Sequence, residues 1–570
     1  MQDHASDAES SVLSAFEPEV LVQQEEGSQE DLTSVNSRRS RRYSIKSNQS
    51  RNLLNKTQSL LEAVRDDNLI TALEPQVPTN QESFIDFEAN PCQSPSKTEE
   101  ADGGACDDND DDDNGEFHKD DQLDPPPDGG YGWVCAFCVC FGNACSWGSN
   151  GSFAVFLAYY LSHDYYAGGS DSLYALMGGL VLFFTLSLSP FALIITKRVG
   201  IKPAAFFGVL VMVSSSVFGS FSTTFAQYFI TQSFLLGVGY CFFVAPLSIV
   251  IPTWFLHKRS LAQGIATSGA GVGGIMFSNS SNALIAQTGD PKWALRMIGL
   301  VSLVTCTIVI ILIKPRRPIK ISGSWKDDFA AIFKWKVWFS PSVIFISMWF
   351  FFYMFTYVIY LYSLSAYGTS IGLTAHQGSV VNTVLSVAQL AGRPLMGVVM
   401  DRFGRINLTI ILTMLIVLFS LTFWVFVTTY AQLIALAFCS GLVLGFNWIS
   451  YATFCADVAG QVDFAAALTV VSILGGSSAS VSELIGLKLR DYTKEKPFLY
   501  CQVFAALCAF VSALFLLPLR EEKIRKMMIS RRHRTLTNDP NNESRLRRFD
   551  LLLKPGIGSY FLRMLYPIKA

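Results

Sequence analysis

The chain has 570 residues, of which 50% are hydrophobic and only 16% charged, a composition that excludes a soluble domain with a hydrated surface and makes lipid the expected solvent. The net charge of −2 conceals a polarised chain: 30 of the 46 acidic residues lie before Gly129 against 10 of the 44 Lys and Arg, so residues 1–128 carry −20 and the remainder +18. An acidic tail on a basic membrane body is the reading.

Residues 1–128 are rich in Ser, Asp, Glu, Asn and Gln, with Asp110 to Asp113 consecutive and Pro125 to Pro127 closing the segment. Such a stretch buries too little apolar surface to order itself and is expected to be a disordered cytoplasmic tail. It lacks the apolar core of a cleavable signal peptide, so the first span is expected to start insertion. Within it, Ser44 follows Arg38, Arg39, Arg41 and Arg42, the form that basophilic kinases read, so a protein kinase is a candidate partner; a solvated basic cluster is the alternative.

From Trp133 onward, apolar runs long enough to cross roughly 30 Å of hydrocarbon recur. They fall near 133–158, 174–196, 203–223, 226–251, 260–286, 294–314, 337–364, 375–400, 406–427, 431–452, 462–487 and 498–519. Twelve spans divide into a six-helix half at 129–314 and another at 337–519, joined by a central loop at 315–336. An all-α bundle of two pseudo-symmetric six-helix halves, with a central site between them, is the predicted fold. Lys and Arg crowd the loops after spans 2, 4, 6 and 8, including Lys197, Arg198, Lys258, Arg259, Lys320, Arg402 and Arg405, which places those loops and both termini in the cytoplasm. The basic segment 520–570 suits the anionic inner leaflet or a disordered tail.

Polar residues inside spans mark candidate solute contacts, because a polar face does not meet lipid. In span 1, Asn143 and Asn150 are seven residues apart on one face. Span 5 presents Gly264, Gly269 and Gly273, a small-residue face for close packing. Span 7 is ringed with aromatics, of which Tyr353, Tyr357 and Tyr360 share a face that suits a planar ring. Span 8 carries Ser379, Asn382, Ser386, Gln389, Arg393 and Gly397 on one stripe at 3.6 residues per turn. Arg393 is the one basic residue deep in a span, suited to a carboxylate or to a structural tie to backbone carbonyls. Asn447 in span 10 is a further polar candidate. Glu483 in span 11 is the first carboxylate to test for proton coupling, with an interfacial role as the alternative. Cys135, Cys138 and Cys140 have metal-like spacing, but no His, Asp or Glu stands beside them. They read as packing residues, and neither a metal nor a cofactor is expected.

Three motifs carry a resemblance. Gly397-Val-Val-Met-Asp401-Arg402-Phe-Gly404-Arg405, between spans 8 and 9, fits G-x-x-x-D-R-x-G-R and resembles the signature loop of the major facilitator superfamily. Gly397 permits close helix contact, Gly404 a tight turn, and the charges a latch that favours one access state. The first-half loop Lys197-Arg198-Val-Gly200-Ile-Lys202 is a degenerate copy. Pro127-Asp128-Gly129-Gly130-Tyr131-Gly132-Trp133 resembles the span 1 signature of the monocarboxylate transporter family. Trp254-Phe255-Leu-His257-Lys258-Arg259-Ser-Leu-Ala262-Gln-Gly264 resembles that family's second signature, and the whole is most similar to the fungal monocarboxylate-permease homologues. The resemblance implies a proton-linked symporter of the family's carboxylate type, or a carrier of a planar solute such as riboflavin, as the fungal branch includes. It implies gating or structural roles for Asp128, Trp133, Lys258, Arg259, Gly397, Asp401, Arg402, Gly404 and Arg405. The chain departs from the animal-type pattern at Gly151 and Gln389, where the family has a Lys and an Asp, so Arg393 stands without its usual proton-coupling partners.

The expected function is secondary transport of a small organic solute by alternating access; a transporter-like nutrient sensor signalling through the tail is the alternative. A channel is disfavoured for want of a filter-like repeat, and an enzyme because the charged motifs lie in loops and form no nucleophile and base set. The plasma membrane is the expected location, a vacuolar or other internal membrane the alternative. No nucleic-acid partner is expected, and oligomeric state is not legible.

Overall fold

The computed structural model describes residues 126–570, apart from 164, 167–168, 170, 317–323, 492, 539–542, 555, 557, 561–562 and 564–570. The acidic tail, Ser44 and the middle of the central loop with Lys320 lie outside the described residues. Among the described residues all regular structure is helical.

Eight helical stretches are each long and apolar enough to cross a membrane, and the bent pair Ser172–Ser187 and Ser189–Val199, turned by 43° at Leu188, makes a ninth. Three further passages are broken or diluted, each for a physical reason. Span 1 is interrupted: Tyr131–Asn143 runs into a π turn at Ala144–Gly148 before Phe153–Ser162. Span 5, Arg259–Thr288, is diluted by Gly, Ser and Asn. The long stretch Tyr430–Lys488 is two spans, because Gly460 has φ 68 and ψ −172, a non-helical conformation that only glycine takes easily. The other spans are 3 (Ile201–Phe221), 4 (Phe225–Trp254), 6 (Pro291–Leu312), 7 (Pro341–Ser370), 8 (Ala375–Phe403), 9 (Arg405–Phe426) and 12 (Leu499–Asn538). Span 6 shows why lipid is the solvent: Leu300, Val304, Ile308 and Ile311, one helical face, are 52–64% exposed.

Two large hydrophobic cores form, beside a small third one around Leu193, Phe242 and Ile332. One joins spans 1 to 6, the other spans 7 to 12 with Leu182 and Leu186 of span 2. The halves meet along two equivalent helix pairs, spans 5 with 8 and spans 2 with 11. Glycines set the spacing. A Cβ at Gly264 would sit 2.6 Å from the Arg393 carbonyl oxygen, one at Gly397 2.5 Å from that of Ser260, and one at Gly179 2.5 Å from that of Ser480. Within the first half, spans 1 and 5 lie backbone to backbone, with Gly269 against Cys140 and Gly273 against Ala144.

Two segments differ in texture from the sequence reading. The central connection holds a helix, Trp325–Ile332, capped by Ser324 and started by Asp327 and Asp328. Buried Asp328 pairs with Arg198 at 2.6 Å, and Lys334 reaches Asp463 at 3.3 Å, so the connection is tied to both halves. Span 12 continues through Pro518 to Asn538, past the predicted end at 519, because Arg, Lys, Glu and Met are good helix formers and neither Gly nor Pro follows before Pro540. Residues Glu543–Leu553 then form a helix, and Arg563 bonds Glu521 at 2.6 Å, so the basic segment has order where disorder was one expectation.

Candidate functional site

The charged loop after span 8 is built into a cluster on the face that carries the loops after spans 2, 4, 8 and 10. Asp401 accepts from the backbone N–H of Ser260 (3.2 Å) and Leu261 (2.9 Å), capping the free N–H groups at the start of span 5 across the two halves. Arg405 donates to Asp401 at 3.1 and 3.2 Å, to both oxygens of Asp457 at 2.6 and 2.8 Å, and to the Leu256 carbonyl at 2.9 Å. Arg259, almost fully buried, donates to Asp457 at 2.9 Å and to the Phe255 carbonyl at 3.1 Å. The reversal into span 9 is made by Gly404 at φ 96, and Gly200 in the degenerate first-half loop has the same sense at φ 91. Arg402 is exposed and the Lys258 side chain points outward, so neither joins the cluster.

The motif at the start of span 1 is a brace for the same face. Asp128, at φ 53, accepts from the N–H groups of Leu256 (2.7 Å), His257 (2.9 Å) and Lys258 (3.2 Å). Trp133 packs on Phe255 with ring centroids 4.7 Å apart, and the Tyr131 hydroxyl donates to the Leu312 carbonyl at 2.7 Å. The span 1 and span 4–5 motifs are therefore two sides of one contact.

Midway along the bundle, Arg393 is 4% exposed. Its guanidinium donates to the Thr267 carbonyl of span 5, to Gln389 at 2.8 Å and to the Tyr357 hydroxyl at 3.4 Å; Nε has no partner. All three partners are neutral. Asn143 of span 1 takes the adjacent span 5 carbonyl, that of Ala266, at 2.8 Å. Arg393, Gln389 and Tyr357 are thus one group, with Asn143 on the neighbouring carbonyl. Asn447 is fully buried, its Nδ2 3.6 Å from the Met354 sulfur and its Oδ1 unpartnered. Asn150 faces a different space, a cavity within the first half lined by Ser149, Tyr228, Gln232 and Tyr240. Tyr353 and Tyr360 are fully buried on Leu444 and Ser420, which leaves Tyr357 as the member of that face beside Arg393.

The span 8 stripe changes character along its length. Arg393 and Gly397 lie against span 5, as does half-buried Ser386, and Gln389 is buried beside Arg393, whereas Ser379 is exposed and Asn382 half-buried toward the opposite end. The facing end of span 5 shows Ser278, Asn279 and Asn282 half-buried or exposed. Amides left open within membrane-spanning helices are not suited to face lipid, which offers them no partner. At the same end Glu483, 7% exposed, is paired with Arg490 at 2.6 Å, and Arg490 also donates to Ser363 at 2.8 Å; the second carboxylate oxygen is buried and unpartnered. Glu483 therefore stands apart from Arg393 in its own ion pair.

Four participants escaped the sequence reading. Asp457 is an ordinary acid near a span end, and only its three-dimensional place between two arginines distinguishes it. Trp147 and Trp448 meet across the halves with centroids 5.3 Å apart, a pairing no local pattern announces. Arg490, just past the end of span 11, carries no local signal of its pairing with Glu483. Among the described residues no group of three or more His, Cys, Asp or Glu is arranged to hold a metal.

Two six-helix halves meeting at a polar centre, latched by charge at one face, define a multi-pass membrane transporter of small solutes, not an enzyme. Residues 136–483 match the model of the Major Facilitator Superfamily, and the chain belongs to that family. It is 36% identical over 474 residues to the uncharacterized transporter ESBP6 of Saccharomyces cerevisiae, covering 79% of this chain and 70% of the relative. It is 31% identical over 413 residues to the probable transporter MCH2 of the same yeast, covering 70% and 86%. Among solved structures, the proton:xylose symporter XylE matches with a TM-score of 0.54 at 14% identity over 68% of this chain and 95% of that one, a likeness of fold alone.

Proposed function

We propose that this chain is a secondary transporter working by alternating access, with a small organic anion of the monocarboxylate type as its solute. The observation that carries the reading is Arg393: a guanidinium 4% exposed whose hydrogen-bond partners are a carbonyl, an amide and a phenol. A buried cation without a counter-charge is costly, and a solute carboxylate bonded to it would remove that cost in the loaded state. The family motifs at 127–133 and 254–264 support the monocarboxylate branch. On this reading the latch face is cytoplasmic, both termini lie there, and the conformation is the one closed at that face, with the open polar residues at the far ends of spans 5 and 8 on the outer side.

A second reading, a planar aromatic solute such as riboflavin, is favoured by Tyr357 and the Trp448 indole beside it. Proton coupling would fall to Glu483, which Arg490 must release before a proton is taken up. A sensor role has no residue in the described structure that favours it. Uptake of labelled monocarboxylates and of riboflavin into cells making the protein, at two external pH values, tests the proposal. Saturable carboxylate uptake that falls at least tenfold in Arg393→Ala is the expected result. Equal uptake by wild type and Arg393→Ala would refute it. Deleting residues 1–120 should leave that flux intact, whereas a sensor would lose its output.

A further inference from the structure

We infer that the solute carries its charge and a flat unsaturated ring on one molecule, the carboxylate held by Arg393 and the ring held between Trp147 of span 1 and Trp448 of span 10. The preferred substrate class is then an aromatic or conjugated monocarboxylate, as distinct from a short aliphatic acid or a neutral heterocycle. This inference rests on the reading of Arg393 as the anion site and adds the determinant of specificity.

The two indoles come from opposite halves, and their rings touch at a centroid distance of 5.3 Å with a 38° tilt. Each sits at a break in its helix. Trp147 lies in the π turn Ala144–Gly148, and Trp448 follows the interruption at Gly445 and Phe446 between Tyr430–Leu444 and the helix that begins at Asn447. Helix irregularities of this kind let a side chain shift without dragging a whole span. The same interruption accommodates the anion site: a Cβ on Gly445 would stand 2.6 Å from the Arg393 Nε. Tyr357 touches both parts, its hydroxyl 3.4 Å from Arg393 and its ring edge-on to Trp448 at 5.8 Å. Behind Trp147 lies Tyr240, at 6.3 Å. Beside Trp448, the buried Oδ1 of Asn447 has no partner, nor has the Nε of Arg393, so the polar rim of this aromatic set holds unused hydrogen-bonding capacity.

A ring inserted between two indoles needs van der Waals contact on both faces, a separation of about 7 Å. The indoles would part by roughly 2 Å, well within what a π turn and a broken helix allow. An aliphatic acid reaches Arg393 without filling that slot and leaves the indoles closed on one another. A neutral planar ring fills the slot and leaves the guanidinium without its anion.

The test uses the full-length protein in proteoliposomes with labelled benzoate, lactate and riboflavin. Wild type is expected to favour benzoate. Trp448→Ala and Trp147→Ala should raise the half-saturation concentration for benzoate about tenfold while changing that for lactate less than twofold; Trp448→Phe should retain most of the preference. If the Ala variants fail to fold, competition in wild type decides: unlabelled cinnamate must displace benzoate better than acetate does, and the reverse order overturns the inference. Equal losses for benzoate and lactate in the Trp variants, or a wild-type preference for lactate or riboflavin, also overturn it. A collapse of all carboxylate flux in Arg393→Ala, alongside non-selective Trp variants, would sink the ring slot and leave the anion site standing. Benzoate uptake indifferent to Arg393→Ala would remove the anion site itself.

Discussion

Asp457→Asn is the most direct probe of the latch, because one carboxylate holds an arginine from each half. Its oxygens accept from Arg405 at 2.6 and 2.8 Å and from Arg259 at 2.9 Å, with side-chain exposures of 17%, 13% and 4% respectively. The asparagine keeps the shape but turns one acceptor into a donor facing an N–H group. Arg405 retains Asp401; Arg259 retains only the Phe255 carbonyl. Breaking a fully buried pair costs about 3–5 kcal/mol. Partial exposure here, and hydration of the same groups once the face opens, reduce the differential to about 2–3 kcal/mol. At 1.4 kcal/mol per decade, the balance between closed and open latch faces should move by about 30- to 150-fold toward open. Spin labels placed by His257→Cys and Phe403→Cys, both exposed on that face, would report it as a longer distance population. Arg402→Ala, which removes an exposed charge outside the cluster, is the control and should change the balance less than twofold. Indistinguishable distance distributions in Asp457→Asn and Arg402→Ala would refute the latch reasoning.

The remaining tests address packing and the other charged contacts. Gly269→Val should cripple folding, because its Cβ would fall 1.8 Å from the Cys140 carbonyl oxygen and force spans 1 and 5 apart; a normal melting temperature would contradict that close approach. Glu483→Gln strands Arg490 at a buried site and should cost about 3 kcal/mol, while Glu483→Gln combined with Arg490→Gln should recover much of it. Additive losses in that thermal-melt cycle would show that the pair is not coupled. Asp128→Ala removes the acceptor for three backbone N–H groups and should cost about 1–2 kcal/mol, with Asp128→Asn milder because asparagine tolerates positive φ. Equal melting temperatures for the two variants would argue against the capping role.

Apolar run length, loop charge and motif spacing by themselves determined that the chain crosses a membrane repeatedly, that it divides into two halves, and which loop carries the motif charges that cluster at one face. Those features are local: hydrocarbon thickness sets a length, and a glycine at Gly404 announces a turn without reference to any distant residue. The stripe on span 8 was equally legible, because 3.6-residue periodicity is written in the chain. Only the tertiary structure decided what the stripe touches. It set Arg393 on Thr267, Gln389 and Tyr357 without an acid, put Asn150 in a separate cavity, and gave Glu483 to Arg490. It also raised the unremarkable Asp457 to the centre of the charge cluster and brought Trp147 to Trp448. Such pairings join residues far apart in sequence, and lie with the packing of spans 5 on 8 and 2 on 11, where glycine contacts fix the approach to within an ångström. No local pattern encodes a partner contributed by the other half of the molecule.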